Sequence, residues 1–445
     1  MGQCLNELRG GIAVIRRFHV QNFKSLRDVS LELSPFHVLI GPNDSGKSSL
    51  LQAMLAMFRS LHGPVVEAFP GYWQGLDLVW RGEPGRSVEI GCEVDLAEGQ
   101  GEYRLICEFN RSSRRVDGHD VILLPGYGAG FDHWSSREGK NGWQQQPFTS
   151  TLNTFLDFAS PQEITGNTAL VLEIAKFLQE QGMAAMDEDG TEKFLRFTRN
   201  AMELASALSA IQFYQWVPRM LGLPVAPDTR RRFRMEPSGF GLALLLDDIL
   251  GFDRDKFINM ERHFREIFPW VRSIKLMPEP AFRTPANDPS QIPMLERADG
   301  KGIFFESVDK GELIPAPQAS DGVLLVLAYL AILNLPRPPR LLLIEEPETG
   351  VHPRRLREVL GILRKMVEQQ DRTQVVMTTH SPYVLDLFAP EEVTLCQREN
   401  DGSVALHPLS RSATVREQID VFTLGEIWTA EGDEALTRRI ADSAP

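Results

Sequence analysis

One run, Gly41-Pro42-Asn43-Asp44-Ser45-Gly46-Lys47-Ser48, constrains this chain more than any other stretch. It fills the pattern Gly, four residues, Gly-Lys-Ser/Thr without a mismatch. The apolar Phe36-His37-Val38-Leu39-Ile40 precedes it, and Leu50, Leu51, Met54, Leu55 and Phe58 follow it at spacings of three and four. A buried strand, a tight turn and a helix are therefore predicted in that order. Glycines let backbone N–H groups turn inward, and a helix N-terminus adds its dipole; together they hold phosphate oxygens. The candidate phosphate-binding residues are Asn43, Asp44, Ser45, Gly46, Lys47, Ser48 and Ser49. Lys47 would place a point charge on the outer phosphates of ATP, and the Ser48 hydroxyl would serve Mg²⁺.

A second cluster stands nearly three hundred positions later, at Leu341-Leu-Leu-Ile344-Glu345-Glu346-Pro347-Glu348. Its continuous apolar run predicts a strand buried on both faces. Two acids at the end of such a strand suit a phosphate-loop ATPase: Glu345 to hold Mg²⁺, Glu346 to orient or deprotonate the attacking water. Taken alone, the pair reads equally well as a solvated acidic turn. Val375-Val-Met-Thr-Thr379 predicts another buried strand, ending in His380. That imidazole is a candidate to hydrogen-bond a γ-phosphate or the water, although a His at a strand end is more often structural.

Composition bounds the rest. The 445 residues are 42% apolar and 24% charged, an ordinary globular balance that excludes disordered and collagen-like chains. A formal net charge of −13 argues against coating nucleic acid through bulk charge, though not against a local basic groove. Arg230-Arg231-Arg232-Phe233-Arg234 and Arg354-Arg355-Leu356-Arg357 are the densest basic clusters. Each reads more readily as a solvated or ion-paired face. The four cysteines are scattered without CxxC spacing, so zinc and disulfides are not expected and a reducing cytoplasm is. No apolar stretch of about 20 residues predicts a membrane span.

Taken together, GPNDSGKSS, LLLIEEPETGVHP and MTTHSP resemble the ABC-type ATPase heads of the RecF, SMC and OLD group, and most of all the OLD-like bacterial AAA ATPases. IRRFHVQNFKSLRDVSLEL resembles the opening strands of those heads, and the resemblance covers about residues 12–110 and 305–400. It implies an α/β fold, a P-loop NTPase head with a mixed sheet and flanking helices. It further implies a signature loop at Pro317-Gln318-Ala319-Ser320-Asp321-Gly322, where Ser320 and Gly322 would touch ATP held by a second copy. Ser320 followed by Asp321 is also an ordinary helix cap. Glu348 to His352 falls where the family places its dimer-crossing loop, and Lys24-Ser25 at an early position near the nucleotide base. Gln74 is a weak match to the glutamine loop.

The gap between Lys47 and Glu345 exceeds that of a minimal head. The expected organisation is an N-terminal head part at 12–110, a compact and mainly helical insertion at 111–300, a C-terminal head part at 301–410, and a short tail at 411–445. About 65 residues follow His380, fewer than the Toprim nuclease domain that OLD nucleases carry there would need, so no nuclease domain is expected in this chain. The resemblance implies an ATP- and Mg²⁺-dependent homodimer, or a higher homo-oligomer, joined through ATP-bound heads. It would gate a separate effector, a nuclease or toxin, in bacterial anti-phage defence. The alternative is a RecF-like DNA-binding ATPase of DNA repair. A transporter subunit fits poorly, because the insert is large, LSGGQ is missing and the glutamine loop is unclear.

Overall fold

The computed structural model describes residues 13–63, 65–69, 75–83, 85–109, 116–124, 131–134, 190–227, 233–283, 296–369 and 373–437. In chain order its strands are β1 (Val14–Phe23), β2 (Leu26–Glu32), β3 (Phe36–Ile40), β4 (Val88–Leu96), β5 (Gly99–Phe109), β6 (Val116–Leu123), β7 (Phe131–Trp134) and β8 (Ile211–Tyr214). They continue with β9 (Val271–Arg283), β10 (Glu296–Ser307), β11 (Leu313–Pro315), β12 (Leu341–Glu345), β13 (Gln374–Thr378), β14 (Val393–Arg398) and β15 (Val404–Pro408). The helices are α1 (Lys47–His62), α2 (Val65–Ala68), α3 (Gly190–Ser209), α4 (Pro218–Leu221), α5 (Leu242–Phe252) and α6 (Arg254–Ile267). They continue with α7 (Asp321–Leu333), α8 (Pro353–Gln369), α9 (Pro382–Leu385), α10 (Ala413–Gln418) and α11 (Leu424–Leu436).

The chain forms two units from interleaved segments. Met1–Ser34, Asn43–Ile211 and Cys396–Leu406 make the first, and Pro35–Pro42, Gln212–Leu395 and His407–Pro445 the second. One crossing point, Pro42 to Asn43, falls inside the phosphate loop.

The first unit is built on an antiparallel sheet of order β2-β1-β4-β5-β6-β7. Strand β1 buries Phe18 and Val20 in alternation, while a register shift against β4 between Ile15 and Arg17 breaks the period before them. Helix α1 packs on β1 and β4. Its buried Leu50, Leu51, Met54, Met57 and Leu61 repeat at helical spacing. Full burial of each large side chain contributes about 2 kcal/mol.

The second unit carries the parallel core. Strands β14, β3, β13, β12 and β8 lie in that order, and β14/β3, β3/β13 and β13/β12 pair in parallel. Every residue of β3 and β13 is buried, which explains why both are mostly apolar rather than alternating, with only His37, Gln374 and Thr378 as polar members. Helix α7 is buried from Val323 to Ile332. It packs against α8, α4 and α6. A second sheet, β11-β10-β9, is antiparallel. In the expected tail, α10 and α11 send Val415, Leu424, Ile427 and Leu436 into this unit's core.

Strands β6 and β7 extend the first sheet by pairing with β5 and with each other. The 111–300 segment, read as mainly helical, is mixed among the described residues, because β6, β7, β8 and β9 lie in it beside α3 to α6. Helix α3 ends at Ser209, and β8 follows it. The β4–β5 turn sits at Ala97 and Glu98. No helix among the described residues is long and apolar enough to cross a membrane.

Candidate functional site

In the first unit, the phosphate loop reaches α1 through backbone that few residues adopt. Asp44 has φ 66°, and Gly46, at the cap position of α1, has φ 90°. Gly46 is required twice over. Its φ lies in the left-handed region, and a Cβ there would stand 2.5 Å from Val404 Cγ2. The hairpin from β14 to β15, closed by a Glu399 N–H to Ser403 O bond of 2.7 Å, thus lies directly against the loop. Arg398, on the same hairpin, pairs with Asp44.

Lys47 is buried, and its ammonium donates to Ser45 Oγ at 3.2 Å. Its charge also reaches Cys396, whose thiol burial pushes up to about 12 while the ammonium draws it down. No acid occupies the first turn of α1, so its positive end stays uncompensated from within the helix. A buried ammonium, a glycine where a Cβ would collide and a helix N-terminus suit the triphosphate of ATP. Ser48 and Ser49 open α1, with Ser48 exposed. Lys24 takes a left-handed φ of 51° and donates to Gln52, and burial lowers its pKa.

In the second unit, parallel pairing aligns three strand ends. Glu345 is paired with Thr378, and Thr378 with Leu39, one residue from the end of β3. The Thr379 N–H donates to Leu39 O at 3.0 Å. Gly41-Pro42, the start of the phosphate loop, therefore leaves the same carboxyl edge that carries Glu345, Glu346 and His380. Ligands of open α/β sheets gather at that edge.

There Glu346 has φ 47°, strained for a non-glycine residue. Its N–H donates to Thr378 O and to Thr378 Oγ1, both at 3.2 Å. Its carboxylate faces His380 Nε2 at 3.3 Å and accepts from Thr349 Oγ1 at 3.3 Å. Glu348 links the two loops, because its Oε1 accepts from Thr379 Oγ1 at 2.7 Å and from the His380 N–H at 2.8 Å. A carboxylate held beside an imidazole in this way can orient a water and take its proton.

Ser320 caps α7 with extended backbone, but its side chain makes no capping hydrogen bond. The exposed hydroxyl is thus not consumed by the helix. Ser320 and Gly322 line a cavity of about 310 Å³ with Phe268, Trp270, Gln318 and Arg355. Gly350, at φ 77°, approaches the head of the same helix; a Cβ there would lie 3.3 Å from Asp321 Oδ2.

The second unit thus brings Glu346 and His380 together, with Glu345 one residue away, while Asn43 to Ser49 gather in the first unit. No group of three or more His, Cys, Asp or Glu among the described residues could hold a metal ion by itself. Mg²⁺ commonly takes only one or two protein ligands and completes its shell with phosphates and water, so a dedicated cluster of acids is not needed to hold it. Sequence reasoning missed the tie made by Glu348 and the brace made by Arg398 and Val404, since neither has a local pattern. Of the basic clusters, Arg355 is engaged with Glu358, Ile267 O and the Phe268 ring. Arg230 to Arg232 and Gln74 lie outside the described residues.

Two protein families match the chain. An AAA ATPase domain covers residues 14–182. An AAA domain described as a putative AbiEii toxin of a type IV TA system covers residues 228–386. The chain is 22% identical over 399 residues to an OLD nuclease of Thermus scotoductus, covering 88% of this chain and 64% of that protein. It thus spans less than two thirds of that relative's length. Among solved structures, an SMC head bound to the C-winged helix domain of ScpA matches with a TM-score of 0.47 at 15% identity, covering 88% of this chain and 96% of that one. The Pyrococcus furiosus Smc head with an extended coiled coil, bound to the C-terminal domain of ScpA, matches with a TM-score of 0.45 at 13% identity. It covers 92% of this chain and 100% of that one. The phosphate loop falls inside one AAA match and the Glu345–Glu346 strand end inside the other, so both halves of the candidate site lie in segments similar to AAA ATPase domains.

Proposed function

We propose that the chain binds MgATP on its phosphate loop, hydrolyses it with Glu346 and His380, and joins a second copy head to head around the nucleotide. The observation that carries this reading is the Glu346–His380 pair, 3.3 Å apart, on the strand edge from which the phosphate loop departs. Asn43, Asp44, Ser45, Gly46, Lys47 and Ser49 hold the phosphates, with Lys47 on the outer ones. Ser48 and Glu345 would be the protein ligands of Mg²⁺, which when bound would supply charge neutralisation at the phosphates. Glu346 orients the attacking water and accepts its proton. His380 donates a hydrogen bond to the γ-phosphate or to the water. Ser320 and Gly322 cap the γ-phosphate bound by the other copy, for which the unused Ser320 hydroxyl is suited. In this reading the head comprises 12–110 and 301–410, with 111–300 inserted and 411–445 appended.

The closed dimer would act as a nucleotide-gated switch for a separate nuclease or toxin in anti-phage defence. Support for that setting is the similarity to an OLD nuclease and to a family described as a putative toxin. The decisive experiment is Lys47→Ala beside Glu346→Gln. Lys47→Ala should abolish ATP binding, while Glu346→Gln should bind ATP and accumulate as a dimer in size-exclusion chromatography with MgATP. If Glu346→Gln loses ATP binding, the assignment of the water-orienting residue is wrong. Salt-sensitive, DNA-stimulated hydrolysis with no co-purifying effector would move the reading to DNA repair.

A further inference from the structure

We infer that Glu348 is a positioning residue for hydrolysis: it fixes the His380 imidazole against Glu346 by holding the backbone on which His380 stands. The inference rests on the ATPase reading of Glu346 and His380. Glu348 Oε1 takes two donors from the loop after β13, Thr379 Oγ1 at 2.7 Å and the His380 N–H at 2.8 Å. Thr379 Oγ1 in turn accepts from the Ser381 N–H at 3.0 Å. Three consecutive residues, 379 to 381, are thereby tied to one carboxylate. Glu346 lies two residues before Glu348, and its own N–H is anchored on Thr378. The two loops are therefore stitched together in opposite directions, and the Glu346–His380 contact of 3.3 Å sits between the stitches.

The position carries a cost that packing does not explain. Glu348 Oε2 is buried and has no hydrogen-bond partner among the described residues. An unsatisfied buried oxygen disfavours folding. The charge of Glu348 also reaches the buried Tyr329 of α7, whose hydroxyl pKa burial raises first and this charge raises further. The same loop touches the head of α7 through Gly350, which faces Asp321. An acid that links two loops of the candidate site while one of its buried oxygens goes unsatisfied marks a functional position.

The inference separates from a merely structural role because an amide retains the acceptor that the argument requires. Steady-state MgATP hydrolysis should be compared for the wild-type chain and for Glu348→Gln, Glu348→Met, His380→Ala and Glu348→Met/His380→Ala. A misplaced catalytic group loses rate rather than affinity. Glu348→Met should lower kcat about tenfold with the KM for ATP within about twofold, and Glu348→Gln should stay within about threefold of wild type. Groups acting as one unit are non-additive, so the double variant should be no slower than His380→Ala by more than about twofold. A Glu348→Gln as slow as Glu348→Met, or additive losses in the double variant, would overturn the inference. If Glu348→Met does not fold, Thr379→Val removes one of the two donors and should lower kcat alone, by about threefold; an unchanged kcat would refute the positioning role. A wild-type chain without ATP hydrolysis, or a His380→Ala variant at full speed, would instead bring down the ATPase reading on which the inference stands.

Discussion

Gly46→Ala tests the phosphate loop where backbone strain and packing meet. The left-handed φ of 90° costs an alanine about 1–2 kcal/mol. The new methyl would also stand 2.5 Å from Val404 Cγ2, against a side chain that is 4% exposed. Relieving such an overlap costs about 1–3 kcal/mol. The sum, about 2–5 kcal/mol, corresponds to a fall of about 5–15 °C in the unfolding midpoint of a unit this size. Val404→Ala opens the space and removes only the second term. The assay is a double-mutant cycle on thermal unfolding, with binding of a fluorescent ATP analogue measured in parallel. Gly46→Ala should cost about 1–3 kcal/mol less in the Val404→Ala background than alone. ATP binding should remain impaired in both, because the strained turn still misdirects the loop N–H groups. Equal costs in the two backgrounds would show that the β14–β15 hairpin does not brace the loop. A Gly46→Ala chain with unaltered midpoint and binding would refute the strain argument as well.

Other outcomes follow from the same structure. Glu346→Gln should keep ATP affinity while slowing turnover at least about 100-fold, read as phosphate release under saturating MgATP. His37, buried on β3 with Nε2 3.0 Å from Thr394 Oγ1, has its pKa lowered from 6.5 to about 4, chiefly by burial. The unfolded state therefore binds the extra proton first, and stability present above about pH 6.5 is lost as the pH falls towards 4, by about 3 kcal/mol in total. His37→Gln should flatten the unfolding midpoint across that window; an unchanged slope would show that His37 titrates normally. Leu327→Ala, at a fully buried position of α7, should cost about 2–5 kcal/mol in chemical denaturation. A loss below about 1 kcal/mol would mean that α7 is not the core helix described here.

Much of the second unit was legible in the sequence because parallel strands buried on both faces leave mostly apolar runs. Phe36–Ile40, Leu341–Ile344 and Val375–Met377 announce themselves in this way, and so does α7. The first unit was less legible. The last strands of its sheet, β6 and β7, are held by pairing with β5, a contact that leaves no periodic mark on a Gly-, Ser- and Trp-rich segment. In the same way, register, rather than the nearest glycine, decides where β4 and β5 part.

The sequence by itself determined the chemistry of the candidate site. Asn43 to Ser49, Glu345, Glu346 and His380 stand at fixed positions next to recognisable strands, and a phosphate cradle needs a glycine, a lysine and a hydroxyl in one order. Only the tertiary structure decided which of these residues act on one another. Parallel pairing of β12 with β13 sets Glu346 beside His380. The fold alone brings Glu348 to the backbone of Thr379 and His380, and Val404 to Gly46. Those contacts join residues far apart in the chain, and their distances depend on strand register and backbone φ, neither of which is written in local composition.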